Sequence, residues 1–325
     1  MPAARVSVAI PTYNRLRFLK PCLESIRAQT LTDIQLYIFD DASTESVEQE
    51  ARALFGDKLT FIPAPANMGA AKNIDRALQY PYKTPYVIVF HDDDTMHPSL
   101  LAREVSLLDS HPEAAFVGST ISFCADEGPM NTFAPSASRS TKPTIYESAA
   151  ELTRALLRGT HLGFSSIMYR TSFLSSQSHL DFERFGPSGD RPFLLSLLQG
   201  RAGASAIVIA DKLVNYRIHA AQDSKRNKLL TQQASMRALQ RELFLLYRSM
   251  LPQPLSTADK RLFMRFSTNA LLDSFARSRV SYGELKSLTN EGYRAGLLNF
   301  FYLNHVGIRA LARIGASALP INHHS

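Results

Sequence analysis

Cysteine and long apolar runs are both scarce in this chain of 325 residues. The two cysteines, Cys22 and Cys124, are too few and too isolated for a disulfide framework or a zinc site, and they fit a reducing compartment. No uninterrupted apolar run of about 18 residues is present, so the sequence predicts no membrane-spanning helix. The N-terminus enters a strand-like segment without an apolar signal region. We therefore expect a cytoplasmic protein.

Acidic residues are outnumbered by basic residues, 29 to 36, which gives a net charge of +7. This balance indicates an anionic partner, such as phosphates, an anionic lipid surface or nucleic acid. The basic residues are scattered along the chain rather than concentrated with aromatic residues, so we expect no nucleic-acid partner.

Strand-like and helix-like segments alternate along the first third of the chain. The predicted strands are 6–10, 34–39, 59–62 and 86–90, and the predicted helices are 16–29, 45–55 and 70–78. We expect Pro11 to stop the first strand. Such alternation predicts an α/β fold with a mostly parallel sheet flanked by helices, whose ligands bind at the carboxyl ends of the strands.

The alternation continues to about residue 220, where strand signals stop. This part has predicted helices at 98–110, 146–158 and 191–199, predicted strands at 114–123 and 206–218, a predicted strand with a turn at 162–173, and a predicted loop at 126–143. Amphipathic helices are then predicted at 223–250 and 257–277. We expect one α/β domain over residues 1–220 and a helical region over residues 221–325.

Three consecutive carboxylates, Asp92, Asp93 and Asp94, follow the apolar strand 87–90 and His91. Burying this much negative charge is unfavourable unless a cation compensates it. Carboxylate oxygens suit Mg²⁺ or Mn²⁺, and proteins commonly share these ions with the phosphates of a substrate. The alternative is a solvated acidic loop that only ends a strand.

Polar clusters stand at the other predicted strand ends. Residues 11–15 suit a phosphate or nucleotide site, or a turn in which Asn14 caps a helix. Residues 40–44 could bind a base or ribose through carboxylates, or could cap the next helix through Ser43 or Thr44. Residues 67–73 supply a turn glycine and two amides, as a plain loop-to-helix junction also would.

Four segments resemble the motifs of family 2 glycosyltransferases in order and spacing. They read VAIPTYNR at 8–15, FDDAST at 39–44, NMGAAKN at 67–73 and FHDDD at 90–94. The resemblance covers residues 5–220. It implies the GT-A (Rossmann-like) fold, a nucleotide-diphosphate sugar of the UDP or dTDP type as donor, and inversion at the anomeric centre.

The resemblance also assigns roles to residues. The implied donor-binding set is Pro11, Thr12, Tyr13, Arg15, Asp40, Asp41, Asn67, Lys72, Arg217 and, with its role left open, Asp92. Within this set, Thr12 lines the base pocket and Asp41 accepts from the pyrimidine ring nitrogen. The family's Asp-x-Asp metal motif aligns with His91 and Asp93, which departs from the pattern at His91. A Mn²⁺ or Mg²⁺ site is implied, with Asp93 as main ligand and His91 and His219 completing it.

The resemblance places the catalytic base at Asp190, where the family has a Glu-Asp pair and this chain has Gly189-Asp190. N-capping of a helix is the structural alternative for Asp190. Ser165 and Ser166 match the family's acceptor-site loop, which implies that they orient an acceptor hydroxyl or contact the β-phosphate, with a plain turn as the structural alternative. Arg217 and His219 belong to a Tyr-Arg-x-His ending and alternate onto one strand face.

The expected function is transfer of a sugar to a saccharide or lipid-linked saccharide, in surface polysaccharide synthesis. One alternative is a degenerate domain that binds nucleotide-sugar without transfer, indicated by His91 and Gly189. Another is nucleotidyl transfer, which predicts a Gly-rich first loop that residues 11–15 do not provide. The apolar, basic segment 297–314 suits contact with the inner face of the membrane, packing on the catalytic domain, or a homo-oligomer.

Overall fold

In the computed structural model, the described residues are 4–125, 142–219, 222, 233–263 and 265–266. The strands among them are β1 (Val6–Thr12), β2 (Ile34–Asp40), β3 (Leu59–Pro63), β4 (Tyr86–Val89), β5 (Thr95–Met96), β6 (Ala114–Ala125), β7 (Thr144–Tyr146), β8 (Ile167–Arg170) and β9 (Ser205–Ile218). The helices are α1 (Leu16–Arg27), α2 (Val47–Phe55), α3 (Ala70–Gln79), α4 (Leu100–Ser110), α5 (Ala149–Arg158), α6 (Phe182–Phe185), α7 (Asp190–Gln199) and α8 (Gln233–Met250).

The described strands form one sheet in the order β3-β2-β1-β4-β8-β6-β9-β5, and β7 also pairs with β9. The pairs β3-β2, β2-β1 and β1-β4 are parallel, as the alternation predicts. Beyond β4 the sheet becomes mixed, because β8 pairs antiparallel with both β4 and β6, whereas β6 and β9 run parallel. The parallel strands β1, β2 and β4 therefore bring their carboxyl ends to one edge.

The core explains why these segments fold as they do. In α1, Leu19, Leu23 and Ile26 recur at helical spacing and are fully or almost fully buried. They belong to the same apolar cluster as Val8 and Ile10 of β1. One apolar face of the helix therefore packs on the sheet, which fixes the position of the turn between β1 and α1.

The prediction that Pro11 stops the first strand is wrong, because β1 continues to Thr12. Pairing with β4 ends at Ala9, whereas pairing with β2 continues to Thr12. The carbonyl of Ala9 accepts from the N–H of Phe90 on the β4 side, and alternation turns the backbone of Pro11 to that same side. The missing N–H of Pro11 therefore costs no ladder hydrogen bond.

The sequence did not predict β5 and β7, which are too short to show alternation. Both pair with the long strand β9, β5 through Thr95 opposite Asn215 and β7 through Ile145 opposite Ile207. The helix predicted from residue 146 accordingly begins at Ala149. Strand structure in the predicted segment 162–173 is confined to β8, which lies between two 3₁₀ turns.

The chain divides into two compact units, Met1–Leu152 with His161–Asn227, and Thr153–Thr160 with Lys228–Ser325. The expected boundary at residue 220 stays a prediction. In the second unit, the guanidinium of Arg154 donates to both carboxylate oxygens of Asp259 at 2.8 and 3.1 Å. Among the helices that the structure describes, none is long and apolar enough to cross a membrane.

Several predicted segments lie wholly or largely outside the described residues. They are the loop at 126–143, the first part of the helix at 223–250, most of the helix at 257–277 and the basic apolar segment at 297–314.

Glu104 of α4 is fully buried, and within the described part of the chain neither of its carboxylate oxygens has a hydrogen-bond partner. Burial raises the pKa of Glu104 well above its ordinary value. The folded state therefore favours the protonated acid, and this contribution to stability is lost as the pH rises above the ordinary Glu range.

We expect Glu104→Met to stabilise the fold by about 1–3 kcal/mol at pH 8, because an unpaired buried carboxylate is replaced by an apolar side chain of similar length. At pH 5 the gain should be smaller. Thermal unfolding at both pH values measures it, with the exposed Glu24→Met as control. A gain that does not depend on pH would contradict this assignment.

Candidate active site

The turns after β1 and β2 are joined by side-chain hydrogen bonds. The N–H of Asn14 donates to Ser43 Oγ at 2.9 Å, and Asn14 Oδ1 accepts from the N–H of Thr44 at 2.8 Å. Asn14 has a positive φ of 47°, which an Asn tolerates better than most residues. Asn14 and Ser43 therefore fasten the two turns to each other and do not act as helix caps.

The N-terminus of α1 is satisfied from the neighbouring turn. Glu45 Oε2 accepts from the N–H of Leu16 at 2.7 Å, and the N-cap residue Arg15 makes no side-chain capping bond. This arrangement leaves the Arg15 guanidinium to contact the acidic residues after β4, at 3.3 Å from Asp92 Oδ1. A capping bond supplied by a distant residue cannot be seen in the local sequence.

Asp41 links β2 to the loop before α3. Its two carboxylate oxygens accept from the N–H groups of Met68 and Gly69, each at 2.9 Å. Gly69 has a positive φ of 89°, so the turn itself requires glycine. Asp41 is thus committed to holding this loop, and its expected contact with a pyrimidine nitrogen stays a prediction.

Asp40 differs from Asp41 because only one of its two carboxylate oxygens accepts a hydrogen bond from the described residues. Its Oδ2 accepts from the N–H of Ser43 at 3.0 Å, whereas Oδ1 is buried without a partner among the described residues. Around this edge, Tyr13, Asn67 and Lys72 are exposed. Pro11 and Arg15 are partly buried.

The three aspartates after β4 are all buried, so the alternative of a solvated acidic loop is wrong. Asp92 accepts from Thr12 Oγ1 at 2.7 Å and from Arg15. Asp93 Oδ2 lies 2.9 Å from His219 Nε2 and 3.5 Å from the Arg15 guanidinium. One cationic side chain of the first turn thus contacts two of the three carboxylates.

Asp94 is held from two other elements. Its Oδ2 accepts from Ser165 Oγ at 2.6 Å, and its Oδ1 accepts from the N–H of Arg217 at 3.1 Å. His91 Nδ1 lies 3.6 Å from the same carboxylate. The sequence placed Asp94 in the acidic cluster but not among the assigned metal ligands, and its partners Ser165 and Arg217 lie 71 and 123 positions further along the chain.

Burial and neighbouring charges shift the pKa values of the three aspartates. Burial and the neighbouring Asp93 charge raise the pKa of Asp92 to about 7. Burial and the same neighbour raise the pKa of Asp94 well above its ordinary value. Burial also acts on Asp93, but the hydrogen bond with His219 and nearby positive groups outweigh it and lower the pKa of Asp93.

A candidate metal centre lies within this cluster. One ligand atom from each of His91, Asp93 and Asp94 can be chosen so that all three lie within 4.8 Å of one another. Two carboxylates and an imidazole form a donor set suited to Mn²⁺, and a cation there would offset the buried negative charge. The residues present therefore fit the metal that the sequence led us to expect, with Asp94 as an additional member.

The end of β9 supports this centre. Arg217 Nε donates to the carbonyl of Asp93 at 3.0 Å, and the side chain of Gln222 donates to the carbonyl of Arg217. The His219 ring packs 4.4 Å from the ring of Phe18, between centroids. His219 contacts Asp93 through Nε2, which suits orientation of that carboxylate. Direct ligation by His219 stays a prediction.

Both predicted acceptor serines are buried. Ser165 donates to Asp94, as described above. Ser166 Oγ lies 2.6 Å from the carbonyl oxygen of Ser119 and 2.8 Å from that of Gly163. Their hydroxyls therefore support the site from within the protein, and contact with an acceptor stays a prediction.

Asp190 is the first residue of α7, and the N-cap position belongs to Gly189. Asp190 is therefore not the N-cap residue, although its carboxylate accepts from the backbone N–H groups of Asp190 and Arg191 at the start of α7. Burial raises the pKa of Asp190, against the opposing effects of Arg191, nearby backbone N–H groups and His161. A partly buried carboxylate with a raised pKa is a stronger base than an ordinary aspartate.

A family model described as glycosyl transferase family 2 matches residues 7–174, which is more than half of the chain. The chain belongs to this family. The recognition from four strand-end motifs is thereby confirmed. The match includes the edge where β1, β2 and β4 end, together with the acidic cluster.

Curated relatives of this glycosyltransferase family member align over about a third of the chain. A putative glycosyltransferase EpsE of Bacillus subtilis is 28% identical over 117 residues, 35% of this chain and 42% of that protein. An uncharacterized glycosyltransferase of Haemophilus influenzae is 28% identical over 112 residues, 34% of this chain and 37% of that protein. The aligned part thus spans less than half the length of these relatives.

Solved structures extend the likeness over most of the chain. Residues 1–349 of S. aureus TarS in complex with UDP-GlcNAc match with a TM-score of 0.55 and 14% identity, covering 90% of this chain and 92% of that one. The mannosyltransferase PcManGT from Pyrobaculum calidifontis in complex with GDP-Man and Mn²⁺ matches with a TM-score of 0.52 and 15% identity, covering 99% and 88%. At these identities the likeness shows the fold, and the predicted α/β GT-A fold is confirmed.

Steric packing explains why this family member has Gly189 where the family has the glutamate of a Glu-Asp pair. A Cβ at Gly189 would lie 2.9 Å from the backbone carbon of Asp181 and 3.0 Å from the N of Phe182. Asp181 itself caps the short helix α6 by accepting from the N–H of Arg184 at 3.0 Å. Backbone thus fills the space that a glutamate at position 189 would need.

We expect Gly189→Ala to destabilise the protein by about 1–3 kcal/mol, because the new methyl group overlaps backbone that cannot rotate away. Chemical denaturation measures the loss. Gly200→Ala, at the other end of α7, is the control, because its Cβ would meet one carbonyl oxygen at a more tolerable 3.3 Å. Equal effects at both positions would contradict the steric explanation.

Proposed function

We propose that this chain transfers a sugar from a nucleotide-diphosphate donor to a hydroxyl group of a saccharide or lipid-linked saccharide, with inversion. The observation that carries the proposal is the convergence of His91, Asp93 and Asp94 with Arg15 and Arg217 at the carboxyl edge of the sheet. Ligands of open α/β sheets bind at this edge. The UDP-GlcNAc and GDP-Man complexes of the matched structures support a nucleotide-sugar as donor.

Donor binding divides between the base and the diphosphate. The buried acceptor atom Asp40 Oδ1, which has no partner among the described residues, is the better candidate to receive an N–H from the base, because both oxygens of Asp41 already accept backbone bonds. Arg15 and the exposed Lys72 supply positive charge for the diphosphate. Tyr13 and Asn67 are exposed at the same edge and would contact the donor. We keep UDP or dTDP as the donor type.

The metal would be held by His91, Asp93 and Asp94, and when bound it would neutralise charge on the leaving diphosphate. Mn²⁺ or Mg²⁺ suits these ligands, and PcManGT is described with Mn²⁺. The protein prepares the ligands, since Ser165 fixes Asp94 while His219 and Arg15 fix Asp93. Such supporting contacts orient ligands and tune their charge.

Asp190 would act as the general base. It takes the proton from the acceptor hydroxyl while that oxygen attacks the anomeric carbon and the bond to the diphosphate oxygen breaks. Attack opposite the leaving group inverts the configuration and needs no covalent intermediate. The raised pKa of Asp190 matches this role, because a carboxylate becomes a stronger base as its pKa rises.

The alternative of a domain that binds nucleotide-sugar without transfer rests on His91 and Gly189. The structure weakens the second point, since Gly189 is explained by packing against Asp181. Nucleotidyl transfer has no support from the first loop, which Asn14 and Ser43 shape without a run of glycines. We further propose a role in surface polysaccharide synthesis, in the cytoplasm or at the inner face of the membrane.

Thermal shift with UDP-, dTDP- and GDP-sugars, each with and without Mn²⁺, tests the proposal. We expect one base to stabilise the protein more than the others, and Mn²⁺ to enlarge that shift. Release of nucleoside diphosphate from the same donor then separates an enzyme from a binding domain. No shift with any donor would refute the proposal, whereas a shift without turnover in water or with acceptor sugars would favour the binding domain.

A further inference from the structure

Phe123, near the end of β6, is 58% exposed, which is unusual for a large aromatic side chain in a strand. Its ring contacts two others, Tyr216 at 5.7 Å and His161 at 6.1 Å between centroids. The Phe123 and Tyr216 rings meet edge to face, at 77°. We call these three residues the aromatic platform.

The aromatic platform adjoins the candidate active site through two connections. Tyr216, opposite Phe123 in the β6–β9 register, directly precedes Arg217, whose N–H holds Asp94. His161 is exposed and lies close enough to Asp190 to act on the pKa of that carboxylate. One residue of the aromatic platform is therefore the chain neighbour of Arg217, and another lies near the proposed base.

We propose that the aromatic platform binds a pyranose ring of the acceptor, with the C–H face of the sugar stacked on Phe123. This inference rests on the proposed function. It specifies that the part of the acceptor in contact with the aromatic platform is a sugar ring. A pyranose presents apolar C–H groups on one face and hydroxyls at its edge. Phe123 offers a rigid apolar plane for the face, and His161 offers a ring nitrogen for a hydroxyl.

An aliphatic chain is the competing occupant, because Ile218 of β9 is also 40% exposed near Phe123. The two occupants make different demands on position 123. An alkyl chain needs apolar area, which leucine also supplies, whereas stacking needs a planar aromatic ring. The presence of His161 beside Phe123 favours the sugar.

Saturation-transfer NMR on the full chain tests the inference, with methyl β-D-glucopyranoside, methyl β-D-galactopyranoside, methyl α-D-mannopyranoside and decyl β-D-glucopyranoside as probes. We expect at least one methyl glycoside to receive saturation mainly on the C–H protons of one ring face. Phe123→Leu should weaken its apparent affinity about three- to tenfold, and Phe123→Tyr should retain it. Ile145→Ala, at a residue 39% exposed on β7, is the control and should change nothing.

Two results would overturn the inference. One is the absence of saturation on all three methyl glycosides. The other is saturation confined to the decyl chain and equal in the Phe123→Leu variant, which would assign the surface to a lipid. The thermal shift with nucleotide-sugars is measured on the same samples. If nucleotide-sugars shift the unfolding temperature but the methyl glycosides do not bind at the aromatic platform, only the inference is refuted. If nucleotide-sugars cause no thermal shift, the proposed function itself is refuted.

Discussion

Replacing Asp190 with asparagine is expected to reduce sugar transfer about 10²- to 10⁴-fold while nucleotide-sugar binding is retained. Asparagine keeps the size and polarity of the side chain but cannot accept the proton of the acceptor hydroxyl. The matched control is Asp57→Asn, which makes the same change at an exposed position of the same unit. Rates of nucleotide release with acceptor, and thermal shift with donor alone, measure the two properties separately.

The pH dependence of the native enzyme gives a second readout of the same assignment. Asp190 is active as a base only when deprotonated, and burial raises its pKa. The rate should therefore fall as the pH decreases, and the fall should begin at a higher pH than for an ordinary aspartate. If the Asp190→Asn variant transfers sugar at the native rate, the base lies elsewhere and the raised pKa reflects packing alone.

Two aromatic residues, Tyr169 and Phe193, lie near Asp190. Tyr169 of β8 is fully buried, and its ring packs 5.7 Å from Phe193 of α7, between centroids. Asp190 and Phe193 share one face of that helix, since they are three residues apart. Burial and the charge of Asp190 raise the pKa of Tyr169 well above its ordinary value. The raised pKa keeps the buried phenol of Tyr169 neutral beside Asp190.

The sequence was sufficient for the parallel half of the sheet and for the edge at which the site lies. Period-two and helical patterns are local, so they predict β1, α1 and β2 within a few residues. The carboxylates of Asp40 and Asp93 follow buried strands, and this position alone placed them at the ligand edge. These predictions did not require knowing which residues contact each other across the fold.

The pairing of side chains could not be predicted in the same way. Asp94 is paired with Ser165 and Arg217, and Leu16 is capped by Glu45, which are contacts between elements far apart in the chain. Local rules instead suggested Asn14 as a cap, because caps are usually supplied by a neighbour. The cause of Gly189 was also invisible, since Asp181 approaches it only in the folded structure.

Asp93→Asn is expected to remove the part of the nucleotide-sugar thermal shift that depends on Mn²⁺. The apparent affinity for Mn²⁺ should fall by at least about 10- to 100-fold, because losing even a residue that supports a ligand has that effect. Asparagine retains one oxygen but lacks the charge that attracts the cation. The shift that remains without Mn²⁺ should persist, since the proposed base contacts at Asp40 and Thr12 are not altered.

Asp92→Asn is the matched control for this variant, because it changes the adjacent carboxylate in the same way. Asp92 accepts from Thr12 and Arg15 and lies outside the set of His91, Asp93 and Asp94. Its raised pKa reflects burial beside the Asp93 charge, so neutralising Asp92 relieves repulsion and leaves the metal ligands in place. We therefore expect Asp92→Asn to keep the Mn²⁺ response. The reverse result, a response lost with Asp92→Asn and kept with Asp93→Asn, would move the metal to the other carboxylate and leave His219 and Asp93 as a structural pair.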